Sequence, residues 1–561
     1  MKCFHKAGPG SAGIAFRSGH LCVTVVVGIF FALLGQVEAN TINAANPSLA
    51  AVSTAIALAA DGDTVIVPAG IAAWTGQLNI TNKSIAILGP ESPDSPLFGT
   101  GQAVITDSTN KAGSTPLLMR WTTKATGYPR ISGIRFQGGN VGSGSFGILE
   151  FRGTTPQLRV DHCRFTLTNC QAIFTMEYVR GVVDHCYFDQ TNHVLGAIYA
   201  FHNIWNVPGS DNGDASWAAP SSLGTADAIF YEDCTWNNPN PNLFCYGVDG
   251  WSGARVVIRH CTLNNVIASN HGTESGGRLR GARQYEYYEN DTLSSGGGEA
   301  VAFSARSGCG VVFNNRITRT GSGVAILMNM ADFRVQNSEF PNLFPPFCFS
   351  GSWTITSLTR SGTTVTVTVA NKTLPGGVTG HGLQNGIGEY VRIRGCNQSD
   401  YNGIFPLGSV LNSTQFTYQV TSSQATTGTG TMRYSQPWDS NTDQDAANVA
   451  DAWGYPCLDQ NGWGQGDLLS GWVSPLWNFV GWPHQIMEGV YIWGNTINGS
   501  PTAPTDFSDQ SPVAKIGREI FLSAKPGYTP YAYPHPLVGG AAPTPTPTPP
   551  TAPANLRITG P

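Results

Sequence analysis

Charge is what this sequence has least of. Of its 561 residues, 12% are Asp, Glu, Lys or Arg, and the formal net charge is −5. No run of lysine and arginine is long enough to track a phosphate backbone, and the Arg278, Arg280 and Arg283 group stands isolated, so nucleic acid is not an expected partner. No CxxC and no HxxxH spacing occurs, which leaves no metal ligand set to assign. Long apolar runs are missing as well. Val23 to Leu34 is the best of them, at about a dozen residues, short of the roughly 20 that span a bilayer. Lys2, Lys6 and Arg17 make a basic region around its start, and Val37-Glu38-Ala39 supplies small or permissive residues after it. Residues 1–39 therefore read as a secretory signal, with an uncleaved anchor as the competing reading. Its removal takes three cations and one anion and moves the net charge from −5 to −7. The expected location is secreted or at the cell surface, with the periplasm open and no stable membrane insertion.

What the chain has instead is glycine, 67 residues of it, and a repeat. Val-Asp-His-Cys-Arg-Phe (160–165), Val-Asp-His-Cys-Tyr-Phe (183–188), Tyr-Glu-Asp-Cys-Thr-Trp (231–236) and Ile-Arg-His-Cys-Thr-Leu (258–263) share one pattern, and it continues without cysteine at 288–293, 313–317 and 335–340. Measured at 163, 186, 234, 261, 291, 316 and 338, the spacings are 23, 48, 27, 30, 25 and 22. Strand-forming residues with a period in the twenties and no helical period indicate a stacked β-solenoid. Ten of the twelve cysteines lie beyond the signal. Four of them, Cys163, Cys186, Cys234 and Cys261, share one phase. They are expected as a reduced internal ladder, because rounds about 4.8 Å apart rarely offer disulfide geometry. His162, His185 and His260 recur at one phase too and read as structural.

Leu49 to Ala60 is a short amphipathic stretch suited to covering the open end of a solenoid. Asp61-Gly-Asp-Thr-Val-Ile-Val-Pro-Ala-Gly70 follows, then Leu78-Asn-Ile-Thr81 and Ser84-Ile-Ala-Ile-Leu-Gly89. A helix, this segment and short strands ending in Asn/Asp-rich steps resemble the right-handed parallel β-helix proteins of the pectin-lyase-like superfamily. The resemblance covers about 40–350 and resumes after 436. It implies an all-β, right-handed parallel β-helix, in a superfamily of polysaccharide lyases, glycoside hydrolases, phage tailspikes and adhesins. Residues 351–435 form a separate pattern of β-branched hairpins, expected as an inserted, small sandwich-like module similar to those of phage fibres and bacterial surface proteins. Residues 436–540 carry half of the 14 tryptophans and read as a continuation of the solenoid with an aromatic-rich cap. Residues 541–561 are a Pro/Thr linker tail.

Chemistry concentrates at 269–283, where His271, Glu274, Arg278, Arg280 and Arg283 crowd together. Glu299 and Arg306 follow one round later. Glu274 lies 17 residues before Asp291, and Glu299 lies 17 before Arg316. Aligned rounds would stack the two glutamates and raise one pKa, as general acid catalysis requires. In a lyase, Arg278 or Arg280 neutralises a uronate carboxylate while His271 or another arginine takes the α proton. In a hydrolase two carboxylates flank the bond, and Asp249 could join Glu274. Arg283, Arg306, Trp251 and His202 complete the candidates as substrate-binding groups. A salt-bridge network on the solenoid surface would place the same residues together. No cofactor is assigned; calcium is open at the Asp-rich segment Asp439 to Asp451, although a solvated loop explains it as well. The expectation is a protein that binds and cleaves an extracellular polysaccharide, a uronate lyase ahead of a glycoside hydrolase, with a non-catalytic adhesin as the alternative.

Overall fold

In the computed structural model, the described residues are 39–90, 101–110, 117–138, 147–167, 171–190, 198–201, 213–240, 245–272, 280–295, 301–321, 328–330, 353–371, 379–381, 383, 385, 390–421, 427–435, 459–466, 485–504 and 516–539. The signal segment, most of the aromatic-rich stretch, the Asp439 to Asp451 segment and the Pro/Thr tail lie outside them.

The short runs of Val, Ile and Phe separated by Gly, Asn and Asp become short strands, and the chain deals them in rotation to three sheets. Arg130–Ser132, Ile134–Gln137 and Leu149–Gly153 join the first, second and third sheet in turn, and Leu158–Asp161 returns to the first. Among the described residues the sheets hold 12, 11 and 9 strands, and neighbouring strands pair in parallel, in register from round to round. The exception is Ser500–Pro501, which turns back antiparallel on Thr496–Ile497. Alternate residues face inward, so one apolar interior runs from Ala44 to Ile520. Stacked Phe136, Phe165, Phe188 and Trp236 fill it with ring centroids 5.0–5.3 Å apart.

The corner between the first and second sheets is made by one residue in left-handed backbone. His162, His185, Asp233, His260, Glu289 and Asn314 occupy it, with φ between 51° and 56°. Asn and Asp tolerate this region best, and the short polar turn explains why histidine recurs there. The next residue points inward. Cys163, Cys186, Cys234 and Cys261 are free, buried thiols at this step, three of them within 3.4–3.6 Å of a carbonyl of the preceding round. Thr262 pairs with Asp291, and Asp291 with Arg316. The cysteine step therefore continues at Asn290 and Asn315, one residue before the 291 and 316 at which the repeat was phased. The reason is chemical. Asn290, Asn315 and Asn495 hydrogen-bond to one another at 2.8–3.0 Å and to carbonyls of earlier rounds at 2.9 Å, so a polar ladder replaces the thiols without orphaned groups.

One helix, Leu49–Leu58, packs Val52, Ala55 and Ile56 on the first round. Ser48 caps its N-terminus, and the Lys83 ammonium binds the carbonyls of Ile56, Ala57 and Ala59 at its other end, where a cation is favoured.

From the strand Cys309–Phe313 the first sheet passes directly to Val490–Trp493. The intervening chain contains the β module, and its six strands close into an antiparallel barrel rather than a sandwich. The long strand Gly403–Asn412 pairs with Tyr390–Cys396 through its first half and with Gln415–Gln419 through its second, with register shifts that bend it. Trp353–Ser361 does the same on the other side. Bent shared strands remove the two open edges that a sandwich would keep.

After Ile520–Phe521, the last strand of the first sheet, residues 522–539 double back across its outer face. Tyr528 packs on Phe313 and donates to Glu286, Tyr531 and His535 pack on Phe230, and the carbonyls of Leu537 and Val538 accept from Arg159. Burial pushes the Glu286 carboxyl from its ordinary 4.5 up to about 7, against the hydrogen bonds of Tyr528 and the Gly224 amide. A carboxyl raised in the folded state stabilises fully below about 4.5 and loses that contribution as pH rises through 7. Burial, together with Arg259 and Arg159, holds His535 down at about 3, so its contribution runs the other way and is lost as pH falls from 6.5. Glu286→Gln is therefore expected to abolish a stability loss of about 3 kcal/mol between pH 4.5 and 8 while leaving the acid-side loss in place. Urea denaturation across that range measures it.

Candidate functional site

Sheet periodicity decides which side chains face out. In the third sheet Leu149, Phe151, Val248 and Ala268 point into the core, so Glu150, Arg152, Asp249 and Ser269 belong to the opposite face. Register aligns them. Arg120 is level with Glu150, Glu150 with Phe174, and Asp249 with Ser269. Both connections that flank this sheet vary in length from round to round, whereas from Arg130–Ser132 onward the corner between the first two sheets stays at one or two residues.

At one end, Asp249 is 1% exposed, and the Nδ1 of His271 lies 2.7 Å from its Oδ2. Neither carboxylate oxygen accepts an aligned hydrogen bond among the described residues. A buried carboxylate in that condition is costly and marks a place where function, not stability, sets the geometry. The His271 backbone is held from three sides. Its amide donates to Gly250, and its carbonyl accepts from Ala282 and from the Ser307 hydroxyl. The next round brings Arg306, whose amide donates to the Asn270 side chain at 2.7 Å and whose guanidinium donates to the Tyr246 hydroxyl at 3.0 Å. The Tyr246 ring also stands 6.1 Å from His271. An acid, an imidazole, a half-buried guanidinium and a phenol thus share one patch.

At the other end, Glu150 sits between two arginines, 2.5 Å from Arg120 Nε and 2.7 Å from Arg152 Nε. The carboxylate is buried, while the arginines are about one-third exposed, at 35% and 31%. Between the two ends, Trp251 and Met176 pack on Leu117 and Phe174 as an apolar platform.

The other expected site residues fall differently. Arg280 is fully buried and binds Asp459 and Asp214 at 2.6–3.2 Å, over the Trp217 ring. Arg283, also fully buried, pairs with Glu488 at 2.7 Å and donates to the Ala219 carbonyl. These two fix the short helix Asp214–Ala218 and the chain at Asp459 and Glu488 to the sheets, and a guanidinium with no exposed surface has no contact to offer a polymer. Trp251 and Arg306 stand on the outward face with Asp249 and His271. Glu274, Arg278, Glu299 and His202 lie outside the described residues. Arg120, Glu150, Arg152 and Tyr246 were missed from the sequence. Leu149-Glu-Phe-Arg-Gly153 does alternate visibly, but Arg120 joins it across 30 residues and only through strand pairing.

No group of three or more His, Cys, Asp and Glu side chains among the described residues is arranged to hold a metal ion. No helix among them is long and apolar enough to cross a membrane. No family model matches this chain, and no curated protein matches it. A solved structure described as "Geobacillus virus E2 - ORF18" is similar over 71% of this chain and 76% of its own, at 10% identity and a TM-score of 0.27. That likeness is too slight to carry an argument about fold or function.

Proposed function

We propose that the three sheets are the faces of a right-handed parallel β-helix, exported from the cell, whose third sheet binds and cleaves an acidic extracellular polysaccharide by β-elimination. The observation that carries this reading is the buried, underbonded Asp249 beside His271, with Tyr246 on the Asp249 strand and Arg306 one round beyond His271. Asp249 orients the imidazole and favours the proton on Nδ1, which leaves the Nε2 lone pair to act as base. Arg306 neutralises the uronate carboxylate and so acidifies the proton on the adjacent carbon. His271 removes that proton, the electron pair forms the ring double bond, and the bond to the leaving oxygen breaks. Tyr246, whose hydroxyl accepts from Arg306, has its own proton to give to that oxygen.

A hydrolase needs two carboxylates no more than about 9.5 Å apart. Among the described residues, Glu150 and Asp249 are three strand steps apart, about 14 Å, too far to flank one glycosidic bond; Glu274, the partner expected for Asp249, lies outside them. A non-catalytic adhesin remains the alternative, favoured by the inserted barrel and the Pro/Thr tail.

The test is depolymerisation of a panel of acidic and neutral polysaccharides by the full chain, with and without calcium. The expected result is ultraviolet absorbance from unsaturated uronates, reduced at least a hundredfold in Arg306→Ala. New reducing ends without that absorbance would establish a hydrolase, and binding without cleavage would establish the adhesin.

A further inference from the structure

The Arg120–Glu150–Arg152 group takes no part in the chemistry just described. It has the charge balance of a binding site rather than of a structural salt bridge. One carboxylate cannot neutralise two guanidiniums, so the cluster carries a residual unit of positive charge. Each guanidinium has five donors in a planar fork. Glu150 accepts from Arg120 Nε at 2.5 Å and from its Nη2 at 3.4 Å and lies 2.7 Å from Arg152 Nε, while Arg152 Nη2 leans on the Met176 sulfur at 3.3 Å. About one-third of each arginine is open to solvent. The carboxylate holds the two forks side by side on the outward face, a preorganisation that serves bidentate capture of an anion.

Position adds the second argument. The Arg152 strand and the strand preceding Arg306 are five steps apart in the third sheet, about 24 Å at 4.8 Å per step. A pyranose with its linkage advances a chain by about one such step. A polymer lying along the sheet axis would therefore place one carboxylate on Arg306 and another, five units away, on the Arg152 pair. The platform of Phe174, Met176 and Trp251 would lie beneath the sugars between them, where apolar ring faces stack.

We propose that Arg120 and Arg152, bridged by Glu150, form a remote anion subsite that binds a second uronate of the same chain, making the protein a reader of long polyuronates that cleaves them internally. This rests on the elimination reading above and adds length and charge periodicity to it.

The experiment uses the full chain with oligogalacturonates and oligomannuronates of three to eight units, and neutral cello-oligosaccharides as controls. Affinity and kcat/KM of the wild type are expected to climb with length and level off at about six units. Arg120→Met and Arg152→Met each leave Glu150 one partner, so the fold keeps a paired carboxylate. Each is expected to shrink the advantage of six units over three by about tenfold. Glu150→Gln releases both forks and is expected to raise that advantage, a gain that a purely structural pair would not produce. Equal losses for short and long oligomers in the arginine variants, or a weaker Glu150→Gln, would overturn the subsite. A wild type that neither binds nor cleaves any acidic oligomer would instead overturn the elimination reading on which it rests.

Discussion

His271→Ala is expected to lower kcat about a thousandfold, within the range for loss of a general base, while oligouronate binding stays within a fewfold of the wild type. The split follows from the geometry. On the proposed reading, Arg306, Trp251 and the Arg120–Arg152 pair supply attraction for the polymer, and the His271 imidazole supplies the base. The His271 carbonyl and amide, which tie Ser307, Ala282 and Gly250 together, survive the substitution because they belong to the backbone. Asp249→Asn is expected to cost about a hundredfold, since an amide can present a donor to Nδ1 and select the wrong tautomer. Single-turnover absorbance traces with saturating oligomer separate these effects from binding. Comparable loss of affinity and of kcat in His271→Ala would assign the residue to binding instead.

Arg259→Met is expected to destabilise the protein by about 3–5 kcal/mol, the range for breaking a buried ion pair from one side. The guanidinium is fully buried. It donates to Glu232 at 3.0 Å, to the Tyr288 hydroxyl at 2.8 Å, and to the carbonyls of Tyr531 and Ala532 at 2.6 and 2.7 Å. Three rings surround it, Phe230, Tyr288 and Tyr533, at 4.9–5.9 Å. Methionine keeps the stem but, among the described residues, leaves Glu232 with the His535 amide as its donor and takes the guanidinium away from the Tyr531 and Ala532 carbonyls. Burial already raises the Glu232 pKa, and Arg259 opposes that rise, so the variant should also take up a proton on folding near neutral pH. Urea denaturation gives the energy, and limited proteolysis within 522–539 shows whether that segment has come away. Arg259→Lys should recover only part, because an ammonium cannot reproduce the fork.

The all-β character and the parallel sheets were legible because a two-residue period and a round length in the twenties survive in the text of the sequence. The inward step was legible as long as it was cysteine. Where it changed to Asn290 and Asn315, adjacent polar residues offered two registers, and only the Thr262–Asp291 pairing decides between them. The closed barrel was hidden because closure depends on bends within Gly403–Asn412, which no composition announces. At the site, Asp249, His271, Trp251 and Arg306 stood out as rare charges and an aromatic near one cluster. Arg120, Glu150 and Arg152 did not, since each looks like an ordinary surface residue until connections of unequal length bring their strands level. Arg280 and Arg283 stood out for the same reason as His271, and nothing in their spacing tells a buried ion network from an open one.

A stack of similar rounds would ordinarily lose structure from an end, one rung at a time, because each rung contacts only its neighbours. Residues 522–539 change that. They touch strands from Val490–Trp493 back to Leu158–Asp161, so no rung beneath them can open without either lifting the whole segment or pulling against it. The array is thereby converted from a sequence of small, independent openings into one large cooperative unit. Amide protons of the first-sheet strands between Leu158 and Trp493 should then exchange together, at a single rate set by detachment of that segment.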